Sequence, residues 1–354
     1  MSFRSVSFID IGLIRRRLLR WYDKTGRDLP WRKTRDPYAI WVSETMLQQT
    51  QVKTVLPYYR RFLKAVPGIQ ALDRAPKRKI LALWSGLGYY RRAADLKTAA
   101  RVIVKRYDGK IPVDFDALRK LPGIGSYTAG AIMSIAFNRP YPALDGNSRR
   151  VLARLSGVSQ DKDLRDVAVR LVSPSRPGHF NQALMDLGAT ICLPREPKCS
   201  SCPVSLHCAA FKSPAFPMTM RSRASSKLRP VQWPLLAVMN GRKVLLRRRP
   251  AGALLDSLWE IPGGEKKRGQ SVIASLSCHV GDLLEKIGGA AFVGEIRHAI
   301  TYRDIRAPVF FLAVKDEKKI HLPDRQWRWV SLSSLHRYPL SSLSLKAVKL
   351  ACRR

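Results

Sequence analysis

The sequence predicts a chain of two parts, an all-helical half followed by a smaller α+β half, and three observations carry that reading. From Ile11 to about Ala210 the apolar residues recur at helical spacing, with turn signals at Pro67-Gly68, Asp108-Gly109, Pro122-Gly123 and Asp145-Gly146 and no convincing period-2 stretch. Lys212–Pro234 (KSPAFPMTMRSRASSKLRPVQWP) then holds four prolines, many Ser and Arg and no acid, which is linker chemistry. Beyond it, Leu235–Leu246 (LLAVMNGRKVLL) reads as a hairpin with Asn240-Gly241 as its turn.

Each element has its own signal. The N-terminus, MSFRSVSFIDIGLIRRRLLRWYDK, has no continuous apolar stretch and no small-residue cleavage site, so it reads as a first basic helix and not as a secretion signal. Asp36-Pro37 is a good N-cap and N1 pair for a helix through Trp41–Leu47. Phe115–Lys120 and a run starting near Ser126 are helical and flank Leu121–Gly130. In the second half, Ala291–Val293, Val309–Val314 and Trp327–Val330 are β-like, and a helix is expected over Ser271–Ile287. There is no internal repeat. At 354 residues and 45% hydrophobic the chain can bury a sizeable core, which excludes disorder throughout. Its longest apolar runs, Ala131–Phe137 and Pro308–Val314, fall far short of the roughly 18 residues a membrane helix needs. An intracellular protein is expected.

Charge narrows the class of partner. The chain carries 64 Lys+Arg against 26 Asp+Glu, a formal charge of +38. Residues 1–211 hold 37 basic and 16 acidic side chains, and residues 212–354 hold 27 and 10, so the excess is spread over the whole molecule. Such a field concentrates polyanions. With no membrane anchor in the sequence, nucleic acid is the favoured partner.

Four of the six cysteines lie within seventeen residues: Cys192, Cys199, Cys202 and Cys208, spaced C-x6-C-x2-C-x5-C. In an intracellular chain so tight a group points to a metal site and not to disulfides. Four thiolates suit either a tetrahedral zinc or a cubane iron–sulfur cluster, and spacing alone does not choose. Arg195, Lys198 and His207 make the loops between them basic.

Three further segments carry chemistry. In Leu121-Pro-Gly-Ile-Gly-Ser-Tyr-Thr-Ala-Gly130, Gly123 and Gly125 allow positive φ and remove side chains, so that backbone N–H groups and the next helix N-terminus can meet a phosphate. This is the helix-hairpin-helix pattern of DNA-backbone binders; an ordinary αα turn is the bland alternative. In Ala143-Leu-Asp-Gly-Asn-Ser-Arg-Arg150, Asp145 follows Gly125 by twenty residues and, taken alone, reads as a helix cap. In Trp41-Val-Ser-Glu-Thr-Met-Leu-Gln-Gln-Thr-Gln51, Glu44 sits among Ile40, Trp41, Met46 and Leu47. Burial there would raise its carboxyl pKa and suit it to act as a general acid.

With Leu29-Pro-Trp-Arg32, Gly86-Leu-Gly-Tyr-Tyr90, Phe180-Asn-Gln-Ala183 and the Cys spacing, these segments make the chain resemble the MutY-type adenine DNA glycosylases, which remove adenine mispaired with 8-oxoguanine or guanine. The resemblance runs from about Trp21 to Cys208 and more loosely beyond. It implies an all-α helix-hairpin-helix glycosylase domain with an iron–sulfur cluster loop (1–211, loop 192–208), a linker (212–234), and a C-terminal α+β Nudix-like domain that reads the opposite base (235–354). It implies a [4Fe–4S] cluster on Cys192, Cys199, Cys202 and Cys208. Glu44 matches the catalytic acid that protonates adenine at N7. Asp145 matches the carboxylate that stabilises the sugar oxocarbenium ion, and Tyr127 a hairpin tyrosine that supports the intermediate. Trp31, Arg32 and Gln182 match positions lining the adenine pocket, Gln182 standing where some relatives carry Glu. Gln49 and Tyr89 match residues that wedge into the duplex, with Thr50 and Leu87 beside them. The implied partner is double-stranded DNA carrying A:8-oxoguanine or A:G mispairs, met by a monomer in an intracellular, DNA-associated location.

Three departures bear on function. The endonuclease III-like glycosylase/lyases need a hairpin lysine for a Schiff base; here that position is Tyr127, so base removal without efficient strand scission is expected. In the C-terminal half, Trp259-Glu-Ile-Pro-Gly-Gly264 resembles the turn before the catalytic helix of Nudix hydrolases, but Glu265–Val280 lacks the paired carboxylates that bind a divalent ion. Arg297-His-Ala-Ile-Thr-Tyr302 aligns with a loop that often reads Phe-Ser-His in relatives; Thr301 keeps a hydroxyl and the His is missing. A non-catalytic mismatch-binding protein is the remaining alternative, and retention of both Glu44 and Asp145 argues against it.

Overall fold

The computed structural model describes residues 10–158, 160–213, 228–250, 258–280, 289–300, 302–320, 322, 324 and 326–353. Up to residue 213 these form helices: α1 (Ile11–Thr25), α2 (Pro37–Leu47), α3 (Val52–Ala65), α4 (Ile69–Arg74), α5 (Lys77–Leu83), α6 (Arg91–Arg106), α7 (Phe115–Arg119), α8 (Ser126–Ile135), α9 (Gly146–Ser156), α10 (Asp161–Leu171), α11 (Pro177–Thr190) and α12 (Ala209–Lys212). None among the described residues is long and apolar enough to cross a membrane.

Sequence explains the helices that matter most. Asp10 caps α1 by accepting from Leu13 N at 2.8 Å, and Ile14, Leu18, Leu19 and Tyr22 form its buried stripe. On its other flank Arg15 donates to the carbonyls of Arg170, Leu171 and Val172, closing the C-terminal end of α10. Asp36 caps α2 through Tyr38 N and Ala39 N, as the Asp-Pro pair predicts, and residues 38–46 are buried all round. α9 starts at the Asp145 cap and stops at Gly157, whose φ of 74° is left-handed. α11 packs closely because it carries glycine at the crossings. A Cβ on Gly188 would meet Asn147 Cβ at 2.8 Å, and one on Gly178 would meet Ile135 Cα at 2.9 Å. One core cluster joins α1, α9, α10 and α11, with Cys192, Cys202 and Cys208 packed at its edge.

After residue 228 the described residues form seven strands: β1 (Arg229–Gln232), β2 (Leu235–Asn240), β3 (Lys243–Arg248), β4 (Trp259–Glu260), β5 (Ala291–Ile300), β6 (Arg303–Ala313) and β7 (Trp327–Ser331). β6 pairs in parallel with β1 and then β2 along one edge and antiparallel with β5 along the other. β2 is buried on both faces and alternates between two cores. Leu235, Ala237 and Met239 join α14 (Ser342–Ala351), while Leu236 and Val238 join α13 (Val272–Val280).

Three details differ from the sequence reading. β1 lies inside the segment read as linker; Pro230 is tolerated because, among the described residues, β1 pairs on one side only. The hairpin loop is Gly241-Arg242, with Asn240 still paired to Lys243 and Gly241 at φ 52°. Only Gly123 of the two hairpin glycines has positive φ (75°); Gly125 is the extended cap of α8 at φ −89°. The helix expected over Ser271–Ile287 is present over α13, and 281–288 lie outside the described residues.

The chain divides into two compact units, and the division does not follow the sequence linearly. Among described residues one unit holds 10–59, 63–74 and 95–213, and the other holds 60–62, 75–94 and the strands and helices from 228 onward. Within the second unit, Tyr90 Oη donates to Leu340 O at 2.5 Å and accepts from Gly86 N at 2.9 Å. Ser85 Oγ donates to the same carbonyl, and Ser342 Oγ donates to Gly86 O.

Candidate functional site

The first unit holds a cavity of about 930 Å³. Its walls include Trp31, Arg32, Glu44, Gln49, Thr50, Gly125, Tyr127, Asp145 and Gln182, which come from six separate stretches of sequence. Gly123 is not in the wall; a Cβ there would meet Asp95 Cβ at 2.7 Å, so its role is to let the hairpin turn close against α6. A Cβ on Gly125 would meet nothing within 4 Å, which leaves its backbone open to the cavity.

Glu44 is 3% exposed on α2. Burial pushes its carboxyl up to about 7; the hydrogen bond from Tyr127 works against this, the nearby Asp145 adds to it, and Arg32 opposes it. Tyr127 Oη donates to Glu44 Oε2 at 2.6 Å, and burial raises that phenol far above its usual range, so it stays a donor. Oε1 has no hydrogen-bond partner among the described residues. Asp145 is both helix cap and cavity wall: its Oδ1 accepts from Ser148 N at 2.7 Å. The cap reading and the functional one are therefore compatible, since a cap must sit at a helix N-terminus and this N-terminus faces the cavity.

Two side chains that sequence reasoning missed hold the wall residues Arg27, Arg32 and Gln182 in place. Asp186, 1% exposed, accepts from Arg32 Nη1 and Nη2 at 2.6 and 2.7 Å and from Arg27 Nε and backbone N at 2.7 and 3.2 Å. Burial works against this carboxylate, and the hydrogen bonds and charges of Arg32, then Arg27, outweigh it and hold its pKa below the usual range. Tyr22 Oη donates to Gln182 Oε1 at 2.6 Å, and its ring lies 5.4 Å from the Arg32 guanidinium. Asp186 stands one turn from Gln182 on α11, a spacing visible in the sequence; Tyr22 reads there only as part of an apolar stripe.

The four clustered cysteines line a second, small cavity of about 30 Å³, beside the buried Arg154. Arg154 donates to Leu193 O and Pro194 O at 2.6 and 2.8 Å and to Cys192 Sγ at 3.3 Å. One turn earlier, Arg150 donates to Cys192 O and Gly188 O. Both arginines project from α9, the helix that Asp145 caps, so the cysteine loop is tied to the element that positions a cavity carboxylate. No three His, Cys, Asp or Glu among the described residues are close enough to share one ion. The donor set is four thiols around a common space.

Comparison with known proteins places these features. Residues 42–177 match the HhH-GPD superfamily of base excision DNA repair proteins, and residues 235–350 match the NUDIX domain. The adenine DNA glycosylase of Homo sapiens is 32% identical over 413 residues, an alignment covering 98% of this chain and 75% of that one. The chain belongs to the adenine DNA glycosylase family. The Rattus norvegicus adenine DNA glycosylase is 48% identical over 219 residues, covering 57% of this chain and 42% of that one. The solved structure of a thermostable thymine-DNA glycosylase superposes with a TM-score of 0.54 at 34% identity, covering 57% of this chain and 96% of its own. The family's helix-hairpin-helix domain is thus joined here to a Nudix-like domain with a mixed sheet.

Leu87 and Tyr89 lie outside the cavity wall. In the second unit Leu87 is 5% exposed, and Tyr89 is 48% exposed at φ 49° with Arg92 stacked on its ring. Thr301 lies outside the described residues; its neighbour Tyr302 is exposed beneath Arg303. In the Nudix-like domain the two acids of the Trp259–Glu265 stretch both meet arginine. Glu260 pairs with Arg249, and Glu265 with Arg229 and Arg303.

Proposed function

We propose that this chain is a monofunctional adenine DNA glycosylase that flips adenine out of A:8-oxoguanine and A:G mispairs and hydrolyses its glycosidic bond. One observation carries the reading: Glu44 and Asp145 line the same cavity in different surroundings, one a buried carboxyl with a pKa near 7, the other a helix-capping carboxylate. A base inside a duplex cannot be reached, so the nucleotide enters the cavity extrahelically.

Tyr127 holds Oε2 of Glu44 by hydrogen bonding, which leaves Oε1 to carry the proton towards the base. Transfer of that proton to adenine N7 makes the base a neutral leaving group when the C1′–N9 bond breaks. Positive charge then develops on the sugar ring, and the Asp145 carboxylate is placed to oppose it. Water adds at C1′ and gives up a proton, which the Glu44 carboxylate can accept. A phenol at position 127 offers no amine for a Schiff base, so the DNA strand stays intact.

Cys192, Cys199, Cys202 and Cys208 would hold a [4Fe–4S] cluster. The four thiols line one small cavity, the all-thiolate donor set that such a cluster takes, and the family resemblance favours it over zinc. The cluster, when bound, supplies a covalent staple for the basic loop around Arg195 and Lys198. The Nudix-like domain is assigned to the opposite base, through the loop containing Thr301, with Gln49, Thr50, Leu87 and Tyr89 on the duplex.

The deciding experiment is a single-turnover glycosylase assay on duplexes carrying adenine opposite 8-oxoguanine, guanine, cytosine or thymine. Fast adenine release opposite the first two, with no strand breaks before alkali treatment, is expected. Release of thymine in place of adenine, or strand cleavage keeping pace with base loss, would overturn the assignment.

A further inference from the structure

We propose that Tyr22 is a positioning residue that fixes which end of the Gln182 amide meets the flipped base, so that the pocket offers a hydrogen-bond donor at that point. This deepens the adenine glycosylase reading and rests on it.

A glutamine amide has two nearly isosteric ends of opposite character, an acceptor oxygen and a donor nitrogen. Rotation about its last bond exchanges them at little cost, so an unsupported Gln cannot tell a base acceptor from a base donor. Gln182 is supported. Its Oε1 takes the Tyr22 hydroxyl proton at 2.6 Å in a buried bond. Its Nε2 has no protein partner among the described residues, and the side chain lines the large cavity.

The reverse pairing, with Nε2 donating to Tyr22, would leave the hydroxyl proton in need of another acceptor. The neighbouring carboxylates are both engaged: Asp186 already accepts from both Arg32 Nη groups and from Arg27 Nε and N, and Asp23 from both Arg176 Nη groups. The Arg32 guanidinium over the Tyr22 ring offers only donors. The hydroxyl therefore donates to Gln182, and the amide presents its NH2 to the cavity.

The consequence is a choice among purines. With Glu44 on N7, adenine offers the acceptor N1 on its outer edge. Hypoxanthine has the same shape but carries N–H at N1, so a fixed donor meets a donor. A site built around such a contact rejects the mismatched analogue far more strongly than shape alone would.

The test measures single-turnover kcat/KM for excision of adenine and of hypoxanthine opposite 8-oxoguanine. Tyr22→Phe keeps the ring over Arg32 and frees the amide. The adenine-to-hypoxanthine ratio should fall by about tenfold, the size expected for one misdirected hydrogen bond. Gln182→Glu presents only acceptors, needs no change at Tyr22, and should lower the ratio in the same direction, which keeps the test decisive if Tyr22→Phe folds poorly. In a Gln182→Leu background, Tyr22→Phe should leave the ratio where it is. An unchanged ratio in Tyr22→Phe, an equal slowing on both bases, or an unchanged ratio in Gln182→Glu would overturn the proposal while wild-type adenine release left the parent reading standing. Wild-type protein that releases no adenine from any duplex would overturn both.

Discussion

Glu44 is held in a state that costs the fold something, and the cost depends on pH. Its pKa is raised from 4.5 to about 7, chiefly by burial, so the folded protein keeps a proton that the unfolded chain releases. The stability tied to that proton is fully present below pH 4.5 and is lost as pH rises through about 7. A shift of this size is worth roughly 3 kcal/mol. Glu44→Gln should therefore match wild type in thermal melting near pH 4 and melt above it at pH 8; equal melting at pH 8 would mean that Glu44 is not a buried titrating group. The same proton predicts that adenine release by wild type declines as pH rises through about 7. Glu44→Gln and Asp145→Asn should each abolish release while leaving mismatch binding within about tenfold, because neither removes a phosphate contact. Binding by gel shift and release by alkali cleavage separate the two effects. Burial of Glu44 was legible from Ile40, Trp41, Met46 and Leu47, all on its own helix. Asp186 and Tyr22 were not, because their partners, Arg27 and Arg32 for one and Gln182 for the other, lie about 155 to 160 residues away in sequence.

At the scale of elements, α8 and α9 each deliver one reactive group and each rests on something outside itself. α8 brings Tyr127 from its first turn, so a lysine there would project into the same wall. Tyr127→Lys should gain a borohydride-trappable DNA adduct that wild type lacks, and equal trapping by both would refute monofunctional chemistry. α9 brings Asp145 at its cap and is braced through Arg150 and Arg154 to the cysteine loop. Purified protein should be yellow-brown, absorb near 400 nm and contain about four irons per chain. Cys202→Ala should lose iron and DNA affinity before it loses the capacity for chemistry; colourless, fully active protein with one zinc would refute the cluster. Helical content, the hairpin glycine at 123 and the β2–β3 pairing were readable because their signals are local. The strand β1 was not, since Arg229–Gln232 carries Pro230 and no period-2 pattern, and only its parallel partner β6 makes it a strand.

For the whole molecule, charge and support act together. An excess of 38 positive charges spread along the chain predicts a steep fall of DNA affinity with salt. Support is less evenly shared. Residues 84–90 hold three left-handed residues, Gly86, Gly88 and Tyr89, a conformation that costs energy at the non-glycine position. What fixes it comes partly from residues 340–342: Leu340 O accepts from Tyr90 and Ser85, Leu340 N donates back to Ser85, and Ser342 donates to Gly86. A fragment ending near Ala210 lacks these residues together with the domain assigned to the opposite base. The fragment gives up every partner that Leu340 and Ser342 supply, so it should release adenine more slowly opposite guanine as well as 8-oxoguanine, with faster amide exchange across residues 84–90. Tyr90→Phe in the full-length chain should reproduce part of that slowing with the opposite-base loop untouched and the salt slope unchanged, because no phosphate-binding charge is removed. A fragment that keeps the full rate opposite guanine would show that the segment around Leu87 and Tyr89 holds its shape unaided.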